Sequence, residues 1–199
     1  MIVGLTGGIA TGKTTVTNQL LKDGFIVVDA DDITHQLYRE NKELIEKIKT
    51  FFPEAVESGM INRQTLARYV VQNPALMTRL DFLTHGYIVR AIQDKMDELS
   101  QTNAIVILSA PLLFETGMYH LCEKVIGLYA DLTTQYDRAL MRSGMTSDKL
   151  ELLISKQWAN HQREVLSDLW VSTDMPFEET YQIVLAYLRK LEKSVSKSK

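Results

Sequence analysis

The chain contains one cysteine, Cys122, among its 199 residues. A single thiol excludes a disulfide within the chain and leaves no basis for a cysteine-based metal cluster. Long hydrophobic runs are also missing, because the run over residues 104–114 is interrupted by Ser109 and Pro111 and falls short of the about 20 apolar residues that a membrane span needs. These absences predict a cytoplasmic protein that has no membrane partner.

Charge of one sign is not concentrated anywhere in the chain. The 22 lysines and arginines and the 25 aspartates and glutamates give a formal net charge of -3 at pH 7, without a strongly basic stripe. Nucleic-acid-binding domains usually carry such a stripe, so no nucleic-acid partner is expected. Hydrophobic residues make up 45% of the chain, which is typical of a folded globular protein. We expect one folded unit over residues 1–199.

The most specific motif runs from Gly7 to Thr14 and reads GGIATGKT. It matches the P-loop pattern of glycine, four residues, glycine, lysine, and serine or threonine. In this pattern the lysine, here Lys13, binds the β and γ phosphates, and the hydroxyl of Thr14 binds Mg²⁺. The residues expected to hold the nucleotide are Gly8, Ile9, Ala10, Thr11, Gly12, Lys13, Thr14 and Thr15. The sequence therefore predicts a site for ATP or GTP with Mg²⁺.

The flanks of this motif favour a P-loop over a chance glycine-rich turn. Residues 1–6 have the length and apolar character of a strand, and residues 13–22 have apolar positions at helical spacing. Further strand signals lie at residues 25–28, 104–108, 125–129 and 169–171. The pattern predicts an α/β P-loop NTPase fold: three α/β/α layers around a parallel five-stranded sheet.

Between the second and third strands the chain shows a helical pattern and no strand signal. We interpret residues 32–100 as an inserted helical lobe for the acceptor, with loops near residues 52–53 and 57–59. Residues 138–163 are predicted to form a helical lid. The core then comprises about residues 1–31, 101–137 and 164–191, and residues 192–199 form a flexible tail.

Polar residues that follow the predicted strands are candidates for chemistry. Asp29, Asp31 and Asp32 follow the second strand, and a helix cap explains one of them but not all three. Glu115 follows the third strand and is expected at the same edge of the sheet. Arg138 and Arg142 are four residues apart and would share one helix face.

Two residues of the inserted lobe, Arg63 and His85, are candidates for binding an anionic acceptor. Considered singly, each is more typical of a solvated charge on a helix. The sequence lacks the Asp-x-x-Gly and Asn/Thr-Lys-x-Asp elements of GTPases, and its third strand ends on a serine where ATP-driven motors carry an aspartate. A small-molecule kinase is the best remaining class. A kinase for another small metabolite and a nucleotide-binding regulatory protein with little turnover stay open.

The order and spacing of these landmarks resemble the dephospho-coenzyme A kinase family. The matching features are Leu5-Thr6-Gly7-Gly8-Ile9, Asp29-Ala30-Asp31, Arg63, His85, Pro111-Leu112-Leu113-Phe114-Glu115, Gln135, Arg138, Arg142, Gln157, Arg163 and Asp168. The resemblance implies transfer of the ATP γ-phosphoryl group to the ribose 3′-hydroxyl of dephospho-coenzyme A. It also implies a nucleotide core, a helical acceptor lobe and a lid.

The residues and the resemblance together suggest a role for each candidate. Asp31 would orient the 3′-hydroxyl and accept its proton, and Lys13 would bind the donor phosphates. The other expected roles are charge neutralisation by Arg138, nucleotide binding by Arg142, and acceptor binding by Arg63, His85 and Glu115. The chain departs from the usual family pattern at Gly86, where a proline is usual, and at Thr173-Asp174-Met175. A different local turn is expected at Gly86, and the resemblance does not carry the family's adenine contacts over to Thr173-Asp174-Met175.

Overall fold

The computed structural model describes residues 1–71, 73–100 and 104–197. They form two compact units, one of Met1–Val28 with Leu99–Lys199 and one of Asp29–Glu98. The second unit covers nearly the same residues as the predicted acceptor lobe. The first residues of the predicted core segment 101–137 and the last two of the predicted tail lie outside the described residues.

A five-stranded sheet forms the centre of the first unit, in the order β2-β5-β1-β6-β7. Its strands are β1 (Ile2–Gly7), β2 (Ile26–Asp29), β5 (Val106–Ser109), β6 (Lys124–Tyr129) and β7 (Leu169–Ser172). Strand β1 lies in the middle and pairs in parallel with both β5 and β6. The predicted α/β fold with five parallel strands is confirmed.

Residues Val3 to Gly7 of the central strand are all buried, so both faces of the strand are covered. Val3 and Leu5 have no exposed surface and pack with Val16 and Leu20 of the helix that follows β1. This is the pattern expected of a parallel sheet covered on both sides. The helices of this unit are α1 (Lys13–Lys22), α6 (Leu132–Leu140), α7 (Ser147–Ser155), α8 (Asn160–Val165) and α9 (Phe177–Lys197).

The second unit is helical and has its own hydrophobic core. Its helices are α2 (Ala30–Glu40), α3 (Lys42–Phe51), α4 (Arg63–Val71) and α5 (Pro74–Ser100). Leu44, Ile48 and Phe52 are almost fully buried in this core. The unit thus has an apolar interior of the kind that lets a segment of this length keep a defined shape.

The second unit also contains a β-hairpin that the sequence analysis missed. Strands β3 (Val56–Glu57) and β4 (Met60–Ile61) pair in an antiparallel manner. Ser58 and Gly59 connect them with positive φ angles of 51° and 77°, as a tight type I′ turn requires. The prediction of no strand in this segment was wrong because two-residue strands are too short to show an alternating pattern.

Two helices are more continuous than predicted. Helix α5 continues through Gly86, so no turn interrupts it there. Helix α9 extends to Lys197, so residues 192–197 belong to a helix and not to a separate tail. No described helix combines the length and apolar character needed to cross a membrane.

The single cysteine lies just before β6 and is partly buried. Its thiol is in hydrogen-bonding range of the carbonyl oxygen of Met118, at 3.8 Å, and lies close to Gly4 of β1. Burial raises the pKa of Cys122 to about 12. The thiol is therefore protonated at neutral pH.

We expect Gly127→Ala to destabilise the sheet. A Cβ atom at Gly127 would lie 2.3 Å from Cε3 of Trp170, whose ring stacks on Tyr129. Because a rigid indole ring cannot yield easily, the free energy of unfolding should fall by about 1–3 kcal/mol, the usual cost of overpacking. Urea denaturation followed by circular dichroism would measure it.

Gly86→Ala is the matched control for this prediction. Gly86 lies inside α5, where an added Cβ would meet no heavy atom within 4 Å among the described residues, apart from its neighbours and the backbone of its own helix. Alanine should raise the stability by about 0.5–1 kcal/mol there, because glycine is a poor helix former. Equal stability of Gly127→Ala and the unmodified chain would contradict the packing of β6 against Trp170.

Candidate functional site

The P-loop connects the carboxyl end of β1 to the first turn of α1. Ala10 and Gly12 adopt positive φ angles of 58° and 79°, which turn the backbone into a concave loop. The hydroxyl of Thr11 donates a hydrogen bond to the carbonyl oxygen of Gly8 at 2.8 Å and closes the loop internally. Loops of this shape direct backbone N–H groups towards a bound anion.

The first turn of α1 suits a phosphate group. Gly12 caps the helix without a side-chain hydrogen bond, and no acidic side chain lies in the first turn. By contrast, the side chains of Asp29 and Asn41 cap α2 and α3. The amino end of a helix carries a partial positive charge, so a phosphate can take the place of a side-chain cap.

Lys13 is held beside the loop by the neighbouring strand. Its Nζ atom donates a hydrogen bond to Oγ of Ser109, the last residue of β5, at 2.6 Å. Since β5 and β1 are parallel neighbours, their carboxyl ends bring the two side chains together. The sequence analysis did not identify Ser109 as part of the site, although its position after a predicted strand was a usable signal.

A cavity of about 280 Å³ opens next to the P-loop. Its lining includes four residues of the P-loop and the first turn of α1: Ala10, Thr11, Gly12 and Thr15. The other lining residues are Val16, Arg138, Arg142, Thr173, Met175, Phe177 and Thr180. The cavity thus brings together the loop, both predicted arginines and the segment between β7 and α9.

Arg138 is fixed to the segment that follows β7. Its guanidinium donates hydrogen bonds to the carbonyl oxygen of Thr173 at 2.7 Å and to its Oγ1 at 3.1 Å. Arg142 lies beyond the end of α6, which stops at Leu140, so the prediction of one helix face was wrong. The turn that follows α6 nevertheless leaves Arg142 exposed beside the same cavity.

The outer side of the P-loop is contacted by residues that follow α7. Oε1 of Gln157 accepts a hydrogen bond from the backbone N–H of Ile9 at 2.9 Å. Oε1 of Glu115 accepts one from the backbone N–H of Trp158 at 2.7 Å. Sequence reasoning assigned Glu115 to acceptor binding. In the structure, its Oε1 atom instead accepts this hydrogen bond from within the chain.

The acidic residues after β2 begin helix α2. The side chain of Asp29 caps this helix by accepting a hydrogen bond from the backbone N–H of Asp31 at 2.9 Å. The side chains of Asp31 and Asp32 are exposed in the first turn. One aspartate is therefore a cap, as predicted, and two remain available for other roles.

Arg63 and His85 are both exposed residues of the second unit. Arg63 begins α4 and lies close enough to the hydroxyl of Tyr38 to influence its pKa. Burial raises the pKa of Tyr38, while Arg63 and a hydrogen bond with Thr84 oppose that rise. This buried tyrosine was missed by the sequence analysis, since its spacing is that of an ordinary core residue.

The residues present fit a magnesium ion of the kind that binds with a nucleotide. Mg²⁺ usually takes one or two protein ligands and completes its shell with phosphates and water. Thr14 offers one exposed hydroxyl in the first turn of α1. Within the described ranges, no group of three or more His, Cys, Asp or Glu side chains is arranged to hold a metal.

Comparisons with known proteins identify the family. The family model for dephospho-CoA kinase matches residues 1–179. The dephospho-CoA kinase of Agrobacterium fabrum is 33% identical over 193 residues, which are 96% of this chain and 98% of that protein. The relative from Wolbachia of Brugia malayi, with the same name, is 31% identical over the full length of both chains.

Solved structures show the same fold. A protein of Thermus thermophilus is 31% identical, with a TM-score of 0.78 over 96% of this chain and 97% of that one. The dephospho-CoA kinase of Campylobacter jejuni, 24% identical, superimposes with a TM-score of 0.74 over 97% and 98% of the two chains. With its P-loop, its paired arginines and a family match over residues 1–179, the chain belongs to the dephospho-CoA kinase family.

Proposed function

We propose that the chain transfers the γ-phosphoryl group of ATP to the ribose 3′-hydroxyl of dephospho-coenzyme A, giving coenzyme A and ADP. The observation that carries this proposal is the P-loop beside a cavity lined by Arg138 and Arg142, in a chain whose family match covers nearly its whole length. The acceptor and the donor are those that the family name implies. The cytoplasm is the proposed compartment, since a single free thiol suits reducing conditions.

The donor is bound by the P-loop residues. The P-loop residues from Gly8 to Thr15 surround the phosphates, and Lys13 binds the β and γ phosphates. The hydroxyl of Thr14 would hold Mg²⁺, and the ion would supply positive charge beside the phosphates. Arg142 binds the nucleotide within the cavity.

Asp31 orients the 3′-hydroxyl of the acceptor and takes its proton. Phosphoryl transfer has a loose transition state, so alignment and charge neutralisation contribute more than proton removal. A carboxylate is a weak base for an alcohol, and its main contribution is therefore the direction of attack. The exposed position of Asp31, beyond the end of β2, supports this role.

Arg138 neutralises charge on the transferred group, and Arg63 and His85 contribute to acceptor binding. Residues 138–163 close over the phosphates when the acceptor is present. Closure excludes water, which would otherwise hydrolyse ATP without transfer. These assignments rest on the cavity position of Arg138 and on the exposed positions of Arg63 and His85.

The acceptor is tested by ADP formation from ATP with Mg²⁺. Dephospho-coenzyme A, AMP, adenosine and pantetheine 4′-phosphate would be compared with a reaction that lacks an acceptor. We expect strong stimulation by dephospho-coenzyme A alone, because only this compound carries all of the groups that the acceptor site would recognise. Stimulation by another acceptor would indicate a different small-molecule kinase, and ATP binding without any stimulation would indicate a regulatory protein.

A further inference from the structure

A buried arginine lies directly behind the P-loop, outside the set of residues assigned above. Arg163 in α8 is 3% exposed and contacts the loop at Gly8. A Cβ atom at Gly8 would lie 3.2 Å from Nη2 and 3.4 Å from Nη1 of this arginine. The guanidinium therefore fills the space that a side chain at position 8 would need.

The hydrogen-bonding capacity of Arg163 is mostly unused. Its Nη2 atom donates to Oδ1 of Asn160 at 2.8 Å. Its Nε and Nη1 atoms are buried and have no hydrogen-bond partner among the residues that the structure describes. Most buried polar groups in proteins are hydrogen-bonded, so two donor nitrogens without a partner on one buried cation need an explanation.

Glu115 compensates this charge only in part. It is near enough to raise the pKa of Arg163, whereas burial, the larger effect, lowers it. One Glu115 oxygen accepts the N–H of Trp158, and the other, Oε2, is buried without a hydrogen-bond partner in the described part of the chain. The two side chains thus attract each other without the paired hydrogen bonds of a well-formed buried ion pair.

This arrangement costs folding free energy. A guanidinium stays charged at neutral pH, and its transfer from water to a protein interior is unfavourable unless hydrogen bonds replace the lost hydration. Unfavourable groups of this kind concentrate at functional sites, where the cost is offset by function. Here the adjacent functional element is a loop built to receive several negative charges.

We propose that Arg163 is a positioning residue, a buried cation that acts through the P-loop at Gly8 to strengthen binding of the nucleotide phosphates. The inference rests on the proposed binding of ATP to this loop. Arg163 would act on the phosphates from a distance, without a direct contact. A fixed charge in a water-excluded setting acts more strongly on a bound anion than the same charge at an exposed position.

The test compares Arg163→Met with Arg163→Lys, which keeps the charge, and with the unmodified chain. Calorimetry or competition would measure the affinities for ATP, ADP, AMP and adenosine. For Arg163→Met we expect ATP affinity to fall about tenfold or more and adenosine affinity to change less than about twofold. Arg163→Lys should keep ATP affinity within about threefold.

Thermal unfolding of the same variants gives the second measurement. A well-packed apolar side chain can replace an incompletely paired buried charge without loss of stability. Arg163→Met should therefore unfold at the same or a higher temperature, although it binds ATP more weakly. Arg189→Met is the charge control, because it removes an exposed cation of α9 that pairs with Glu192. It should leave ATP affinity unchanged.

Equal losses of affinity for ATP and adenosine would show a merely structural role and overturn the proposal. Unchanged ATP affinity in Arg163→Met would overturn it too. If this variant fails to fold, Arg163→Gln would be measured in the same way. We expect the same ratio between its loss of ATP affinity and its loss of adenosine affinity. The measurements need no acceptor, so failure to phosphorylate dephospho-coenzyme A would refute the proposed function and leave the Arg163 result interpretable.

Discussion

Lys13→Met should lower kcat/KM for phosphoryl transfer by about a thousandfold. Removal of a single preorganised charge that stabilises a transition state commonly has an effect of this size. Methionine retains much of the length of lysine. The fall in kcat/KM would therefore reflect the missing charge more than a change in packing. In the structure Lys13 Nζ donates a hydrogen bond to Ser109 at the end of β5, which places its charge near the loop.

Steady-state rates of Lys13→Met would be measured with ATP and dephospho-coenzyme A. Lys22→Met is the matched control, since Lys22 is an exposed residue in the last turn of the same helix. It should keep activity close to that of the unmodified chain. Activity of Lys13→Met within tenfold of this control would mean that the loop does not position the transferred phosphate.

Asp31→Asn should lower kcat by about a hundredfold to ten-thousandfold, the usual effect of losing a side chain that both orients a hydroxyl and takes its proton, and leave ATP affinity unchanged. Asparagine keeps the shape and polarity of the side chain but cannot take a proton at neutral pH. The cap of α2 uses the Asp29 side chain and the backbone N–H of residue 31, so the substitution leaves it intact. A loss of rate would therefore not reflect loss of the helix.

Asp32→Asn provides the control for this experiment. Asp31 and Asp32 are adjacent, exposed and in the first turn of the same helix, so both substitutions remove the same favourable charge from its amino end. Only Asp31→Asn should have a lowered kcat. Equal rates for the two variants would show that Asp31 is not the base, and weaker ATP binding by Asp31→Asn alone would indicate a donor role.

Local patterns were sufficient to predict the core of the fold. Residues of β1 and β6 form short apolar runs, because a parallel strand covered on both faces has no polar side. The P-loop was recognisable because its function needs particular residues at fixed spacing. Both signals come from residues only a few positions apart in the chain. Local structure depends mainly on such neighbours, so these patterns can be recognised from the sequence.

Contacts between distant segments could not be predicted in this way. The hydrogen bonds of Ile9 with Gln157 and of Arg138 with Thr173 depend on how loops converge at the ends of strands. Gln157 and Arg163 matched the family pattern, but nothing in their immediate sequence indicates contact with the P-loop. The β3-β4 hairpin was missed for another reason, since only the Ser58-Gly59 dipeptide signals its turn.

The enclosed thiol of Cys122 makes the chain a convenient background for site-specific labelling. Thiol reagents attack the thiolate, and a pKa of about 12 leaves almost none of it at neutral pH. A cysteine introduced at Met141, which is 86% exposed in the turn after α6, would then be the dominant reactive site. A fluorophore attached there could follow movement of this turn on nucleotide binding while the native cysteine remains in place.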